Sequence, residues 1–136
     1  MPLTLLDADA VIDFLQGIKQ SVDLLKSLAD AGDTLGVCDV VVAEVYSGLR
    51  PEDRPRVAPI LAGFAYLATS AEAARLAGEW RHDFARRGVV LSTSDVLVAA
   101  AAVAHRARLV TGNAAHYPMP ELALMPLPRP LDPKQR

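Results

Sequence analysis

LTLLDADAVIDFL, residues Leu3 to Leu15, decides the reading of this chain. Leu3–Leu6 has the length and apolar content of a buried strand. Carboxylates follow at Asp7 and Asp9, and Val11, Ile12, Phe14 and Leu15 then recur at helical spacing. A strand feeding a helix, with an acid at the junction, puts negative charge at the carboxyl edge of a sheet. Open α/β folds hold their ligands at that edge. Asp7 is therefore a candidate corner of a metal site. It is equally a plain helix cap, since a carboxylate at a helix start stabilises by about 0.3–1 kcal/mol.

Outward from this junction, strand and helix patterns alternate. Val22, Leu25, Leu28 and Ala29 form a helical stripe within Ile18–Ala31, and Thr34–Val37 reads as a second short strand. Asp39 precedes Val40–Tyr46 and is the expected cap of a third helix. Arg54–Phe64 is expected to be helical, with Pro55 and Pro59 confining its regular part, and Ala65–Ala68 is a candidate strand. Thr69 and Glu72 have capping-box spacing. The helix they open has Ala73, Leu76, Ala77, Trp80 and Phe84 on one face and stops at Gly88. Val89–Leu91 reads as a short extended segment. Ser92, Thr93, Ser94 and Asp95 are all capping candidates for Val96–Ala104, which is apolar on every side and so belongs against the sheet. Arg106 and Arg108 are expected at the negative pole of that helix. Leu109–Thr111 is the next strand, Gly112–Pro118 a loop, and Leu122–Met125 a last strand. The alternation implies parallel strands joined by helical crossovers, a three-layer α/β/α sandwich around a central, mainly parallel sheet. One such domain is expected over residues 1–126. The proline-rich residues 127–136 are expected to form an extended tail.

The totals narrow the function. A chain of 136 residues, 51% hydrophobic and 22% charged, is long and apolar enough to bury a core. Sixteen acidic against 14 basic side chains leave a net charge of −2, so any nucleic-acid contact must use a local patch. The single cysteine, Cys38, excludes an intrachain disulfide and a cysteine zinc site; it reads as a small buried apolar group. Neither a basic leader with a cleavage pattern nor a membrane-length apolar run is evident, and a cytoplasmic location is the expectation.

The acids carry the chemistry. Glu44 lies in a helix whose neighbours are nearly all apolar, where an unpaired ion is costly unless it snorkels to solvent or pairs with an arginine such as Arg50. Asp95 opens the most apolar helix, which returns the chain to the sheet so that Thr111–Asn113 falls beside the edge holding Asp7. Three carboxylates converging there would repel unless one takes a proton or a cation compensates. An all-oxygen set suits Mg²⁺ or Mn²⁺. Such an ion lowers the pKa of bound water and stabilises charge on a phosphate. The residues thus point to metal-assisted hydrolysis or transfer at a phosphate.

Four segments carry a resemblance: LLDADAVID, VVVAEVYSGL, LSTSDVLVAAAA and LVTGNAAHYP. In this order they resemble the motifs of the PIN-domain family, most closely the VapC-type toxins of toxin–antitoxin pairs. Asp39 stands where that family usually has a capping Ser or Thr. The resemblance implies that Asp7, Glu44 and Asp95 form an acidic Mg²⁺ site, with Mn²⁺ as a substitute and Glu44 reaching the ion through water. Asn113 falls where many relatives carry a fourth acid. Asp9, Thr111 and Asn113 become supporting residues, and His116, Arg86 and Arg87 candidates for substrate contact. The implied activity is an endoribonuclease using a metal-activated water. The implied partners are an RNA substrate, a cognate antitoxin inserting into the site, and a second copy of the chain in a homodimer.

Two rivals stand beside this reading. Asp7, Asp9 and Val11 also match the opening motif of haloacid-dehalogenase-type phosphatases, with Asp7 as nucleophile. That chemistry needs a downstream lysine, and the chain has only Lys19, Lys26 and Lys134. The other rival is a PIN-like module that binds a partner without catalysis. Retention of all three acids opposes it, because an unused acid cluster costs stability.

Overall fold

The computed structural model describes residues 2–130. Five strands form one sheet: β1 (Leu3–Leu6), β2 (Thr34–Val37), β3 (Ala65–Tyr66), β4 (Arg108–Thr111) and β5 (Leu124–Pro126). Six helices flank it: α1 (Ala8–Leu15), α2 (Lys19–Asp30), α3 (Asp39–Ser47), α4 (Arg54–Ala62), α5 (Ala71–Arg86) and α6 (Thr93–Ala104). All strand pairs are parallel, in the order β3-β2-β1-β4-β5. The expected α/β sandwich is the observed architecture.

The order fixes where a ligand belongs. From β1 the chain steps to β2 and then β3. The connection through α5 and α6 carries it back past both to β4 on the other side of β1. Because such crossovers are right-handed, the reversal puts the two groups of helices on opposite faces and opens a crevice at the carboxyl ends of β1 and β4.

Burial explains why these segments form these elements. Leu5 and Leu6 are fully buried in the central strand, as are Leu109 and Val110 beside them. Truncating one such leucine to Ala would cost about 2–5 kcal/mol. Helix α6 buries Val96, Val98 and Ala99–Ala102, and the small alanines let α5 lie close against it. Trp80 is core: it is buried, and its indole N–H donates to Glu121 Oε2 at 2.8 Å. Cys38 is buried at the end of β2, and burial pushes its thiol up to about 11. No helix among the described residues is long and apolar enough to cross a membrane.

Several local expectations shift. Asp39 does not cap α3; Cys38 is the capping position, and Asp39 sits in the first turn, accepting from Thr69 Oγ1 at 2.5 Å. Thr69 is thereby withdrawn from the capping box, and Ser70 caps α5 instead, accepting from Ala73 N at 3.1 Å. Pro51 opens a short 3₁₀ turn, Pro51–Asp53, before α4. Strand β3 is shorter than expected and β5 begins two residues later. Val89–Leu91 joins no strand. Arg108 lies within β4 rather than at the end of α6, and pairs with Asp33. The expected tail does not begin at residue 127: Leu127 is buried, and its N–H donates to Thr111 O at 2.9 Å. Residues 131–136 lie outside the described residues.

Candidate active site

Asp7 sits where β1 becomes α1, and each of its oxygens is held. Its backbone is extended, and Oδ1 accepts from Ala8 N at 2.9 Å, capping α1. Oδ2 accepts from Thr111 Oγ1 and from the Tyr117 hydroxyl, each at 2.8 Å. Asp7 is only 8% exposed, Thr111 1% and Tyr117 3%. All three donors are neutral, so the carboxylate is oriented but its charge is not cancelled. Asp7 is thus both the helix cap and a member of the crevice; the two readings open in the sequence are compatible.

Asp95 enters from the opposite side. Ser92 caps α6, its Oγ accepting from Asp95 N at 3.1 Å, which fixes Asp95 in the first turn. The Tyr117 hydroxyl lies 3.4 Å from Asp95 Oδ1, and His116 Nδ1 lies 3.4 Å from Asp95 Oδ2. Tyr117 therefore joins Asp7 and Asp95 through one oxygen. Burial, and then the field of Asp7, raise its pKa, so it remains a protonated donor.

Asp9 occupies the first turn of α1. Its Oδ2 accepts from Gly112 N at 2.8 Å and Asn113 Nδ2 at 3.1 Å, tying α1 to the loop after β4. Its Oδ1 is buried without a hydrogen-bond partner among the described residues. Burial raises the Asp9 pKa, with Asp7 adding to the shift and Gly112 and Arg129 opposing it.

Glu44 corrects the expectation of an ion among apolar groups. It is solvent-exposed on the open side of α3, facing the crevice. Arg50 does not pair with it; that guanidinium bonds Asp53 at 3.0 Å and approaches Glu52 at 3.6 Å. Partial desolvation raises the Glu44 pKa, followed by the fields of Asp7, Asp95 and Asp9. The last three causes are the like-charge signature of a shared site.

Asp7, Asp9, Glu44, Asp95, Asn113 and His116 line one open cleft of about 480 Å³, with Ser92 and Ser94 at its rim. Of the remaining sequence candidates, Thr111 stands behind Asp7. Arg86 and Arg87 are not brought to the cleft; Arg87 stacks over the Phe84 ring with its guanidinium carbon 4.2 Å from the centroid. Among the described residues no lysine lines the cleft: Lys19 pairs with Asp23 at 2.7 Å, and Lys26 borders an apolar hollow beside Phe14 and Phe64.

Two contributors were not singled out from the sequence. Tyr117 directly follows His116 in LVTGNAAHYP, and its hydroxyl was the available signal. Arg129 fell in the segment assigned to the tail. Its Nε donates to Asp13 Oδ2 at 3.2 Å, and its terminal nitrogen lies 3.4 Å from Asp9 Oδ2.

The oxygen-only donor set, the unpartnered Asp9 Oδ1 and the mutual repulsion at Glu44 fit a hard divalent cation. Among the described residues, no three His, Cys, Asp or Glu side chains stand close enough to enclose an ion by themselves. An ion held there would need waters of its own to complete its coordination.

Residues 4–121 match the family model for the PIN domain. The chain is 32% identical over 117 residues to ribonuclease VapC10 of Mycobacterium tuberculosis, covering 86% of this chain and 87% of that one. Among solved structures it superposes on VapBC2 from Rickettsia felis bound to a DNA fragment from its promoter, with a TM-score of 0.81 at 22% identity, over 91% of this chain and 98% of that one. A toxin–antitoxin complex from Klebsiella pneumoniae gives a TM-score of 0.77 at 20% identity, over 93% and 98%. With the acids assembled at the switch point of a matching fold, this chain belongs to the PIN-domain family, among its VapC-type members.

Proposed function

We propose that this chain is a Mg²⁺-dependent endoribonuclease, the toxin of a toxin–antitoxin pair. The observation that carries the reading is the convergence of Asp7, Asp9, Glu44 and Asp95 on one cleft, in a chain related to a named ribonuclease. Asp7 and Asp95 would hold the cation directly and Glu44 through water. The ion would supply a more acidic water and a counter-charge to the phosphate.

The chain's own residues do the rest. Thr111, Tyr117 and the Ala8 amide fix Asp7 in one orientation, so little reorganisation is needed when charge develops at the phosphate. Asp9 ties the Gly112–Asn113 loop to α1 and holds that wall of the cleft in place. His116, beside Asp95 and open to solvent, is placed to meet substrate at the rim. In the overall reaction the oxygen of water bonds to phosphorus, the P–O3′ bond breaks, and O3′ takes up a proton. The products carry 5′-phosphate and 3′-hydroxyl ends.

The proposed partners are structured RNA, a cognate antitoxin whose carboxyl-terminal segment enters the cleft, and a second copy of the chain. Support for the antitoxin is that the solved neighbours include toxin–antitoxin complexes. An arginine in such a segment would bond these carboxylates in the strong, charge-assisted way. The test is incubation of the purified chain with structured RNA in Mg²⁺ and in EDTA. Cleavage in Mg²⁺ alone supports the reading. Equal cleavage in EDTA contradicts the metal dependence, and binding without cleavage favours a non-catalytic module.

A further inference from the structure

The segment after β5 brings a cation to the acidic cleft from within the chain. Pro126 is in register with Thr111, and the Leu127 amide continues the ladder by donating to Thr111 O at 2.9 Å. Leu127 is buried, so the chain is tied down two residues before Arg129. The Arg129 guanidinium then spans two carboxylates, Asp13 at 3.2 Å and Asp9 at 3.4 Å. It lies directly on Gly112: a Cβ there would stand 3.0 Å from both its guanidinium carbon and its Nε, and 2.9 Å from Asp9 Oδ2. A larger residue there would push these side-chain ends aside. Asp9 Oδ2 now has Gly112 N, Asn113 Nδ2 and Arg129 around it. The guanidinium is permanently charged, so this counter-charge is present at every working pH.

We propose that Arg129 is a tethered counter-cation and positioning residue of the cleft. It occupies the Asp9–Asp13 side, leaving the Asp7–Asp95 side for a single divalent ion. The inference rests on the metal-dependent reading above and adds to it the reason for one ion rather than two. Any cation drawn to Asp9 meets the fixed charge of a guanidinium held beside Oδ2 by a second carboxylate and by the chain's own β-ladder. That repulsion lowers the affinity of a mobile cation on this side of the cleft.

The test is Mn²⁺ titration of the full-length chain, followed by the paramagnetic resonance signal of free Mn²⁺, for the native chain, Arg129→Gln and Arg129→Lys. The native chain is expected to bind one Mn²⁺. Arg129→Gln should bind a second ion, or the same ion about tenfold more tightly, as outer contacts of a metal site typically modulate affinity on this scale. Arg129→Lys keeps the charge without the two-pronged geometry and should fall between them. Circular dichroism confirms that each variant is folded. If the native chain binds Mn²⁺ and both variants bind it identically or more weakly, the counter-cation role is overturned while the metal site stands. If none of the three binds Mn²⁺, the metal reading fails and the inference with it.

Discussion

The two ends of strands β1 and β4 treat acidic charge in opposite ways. At the amino end, one carboxylate, Asp33, is half-buried and matched. It accepts from Thr4 Oγ1 at 3.2 Å and from the Arg108 guanidinium, whose Nε also reaches Thr4 Oγ1 at 3.1 Å. One acid meets one arginine, and the group is close to neutral. At the carboxyl end, Asp7, Asp9, Glu44 and Asp95 share a cleft, and the donors to Asp7 are all neutral. The same pair of strands thus carries a matched acid–arginine pair at one end and an excess of negative charge at the other. Charge left uncompensated at a topological switch point works against folding and is retained where a ligand supplies the balance.

Substitution at either end should disturb this balance. The largest stability effect belongs to the amino end. Arg108→Met leaves the half-buried Asp33 without its cation and should cost about 2 kcal/mol, read as a lower urea midpoint at unchanged slope. A loss near zero would mean that the pair is merely decorative and that the two ends do not differ as described. Tyr117→Phe comes next. It removes one donor to the Asp7 carboxylate, worth about 1–2 kcal/mol, and should lower RNA cleavage by about tenfold or more through misorientation of that acid. Lost stability with full activity would make Tyr117 a core residue and nothing further.

The smallest effect has the opposite sign. Glu44 has a raised pKa in the folded chain, so the folded state keeps that proton to higher pH than the unfolded state does. Stability from this group is therefore present below the ordinary Glu value of 4.5 and is lost as pH rises through the folded pKa. Without divalent cations, Glu44→Gln should melt at a higher temperature than the native chain at neutral pH, and the gain should shrink as pH is lowered toward that value. A variant that melts lower at neutral pH would remove the repulsion from the account.

Much of this was legible in the chain's pattern, and the misses have physical causes. Leu3–Leu6 and Thr34–Val37 were readable because a buried parallel strand is a short apolar run closed by polar residues. The apolar run Val96–Ala104 of α6 announced its burial in the same way. Caps were read one residue off at Asp39 and Thr69 because the two side chains bond each other, a contact thirty residues apart in sequence that local pattern does not carry. The acids of the cleft were readable as unusual residues in apolar surroundings; of the alternatives open for Glu44, the solvent-facing one is observed and the Arg50 pair is not. Tyr117 was hidden because one hydroxyl distinguishes it from a core aromatic. Arg129 was hidden because proline-rich composition signals the lack of regular structure, and a chain without regular structure can still be held in place by one buried leucine and one ladder bond.

RNA cleavage by the acids at the carboxyl end of β1 and β4 is the proposed activity. The most direct measurement compares structured-RNA cleavage by the native chain with that by Asp7→Asn and Asp95→Asn, purified identically and assayed at the same Mg²⁺ concentration. Each substitution keeps the side chain's shape and removes its charge. Cleavage is expected to fall at least about a hundredfold in both variants, with the melting temperature held or raised in Asp95→Asn and lowered but still cooperative in Asp7→Asn, whose amide can no longer accept from both Thr111 and Tyr117. Undiminished cleavage in either folded variant would contradict the proposal.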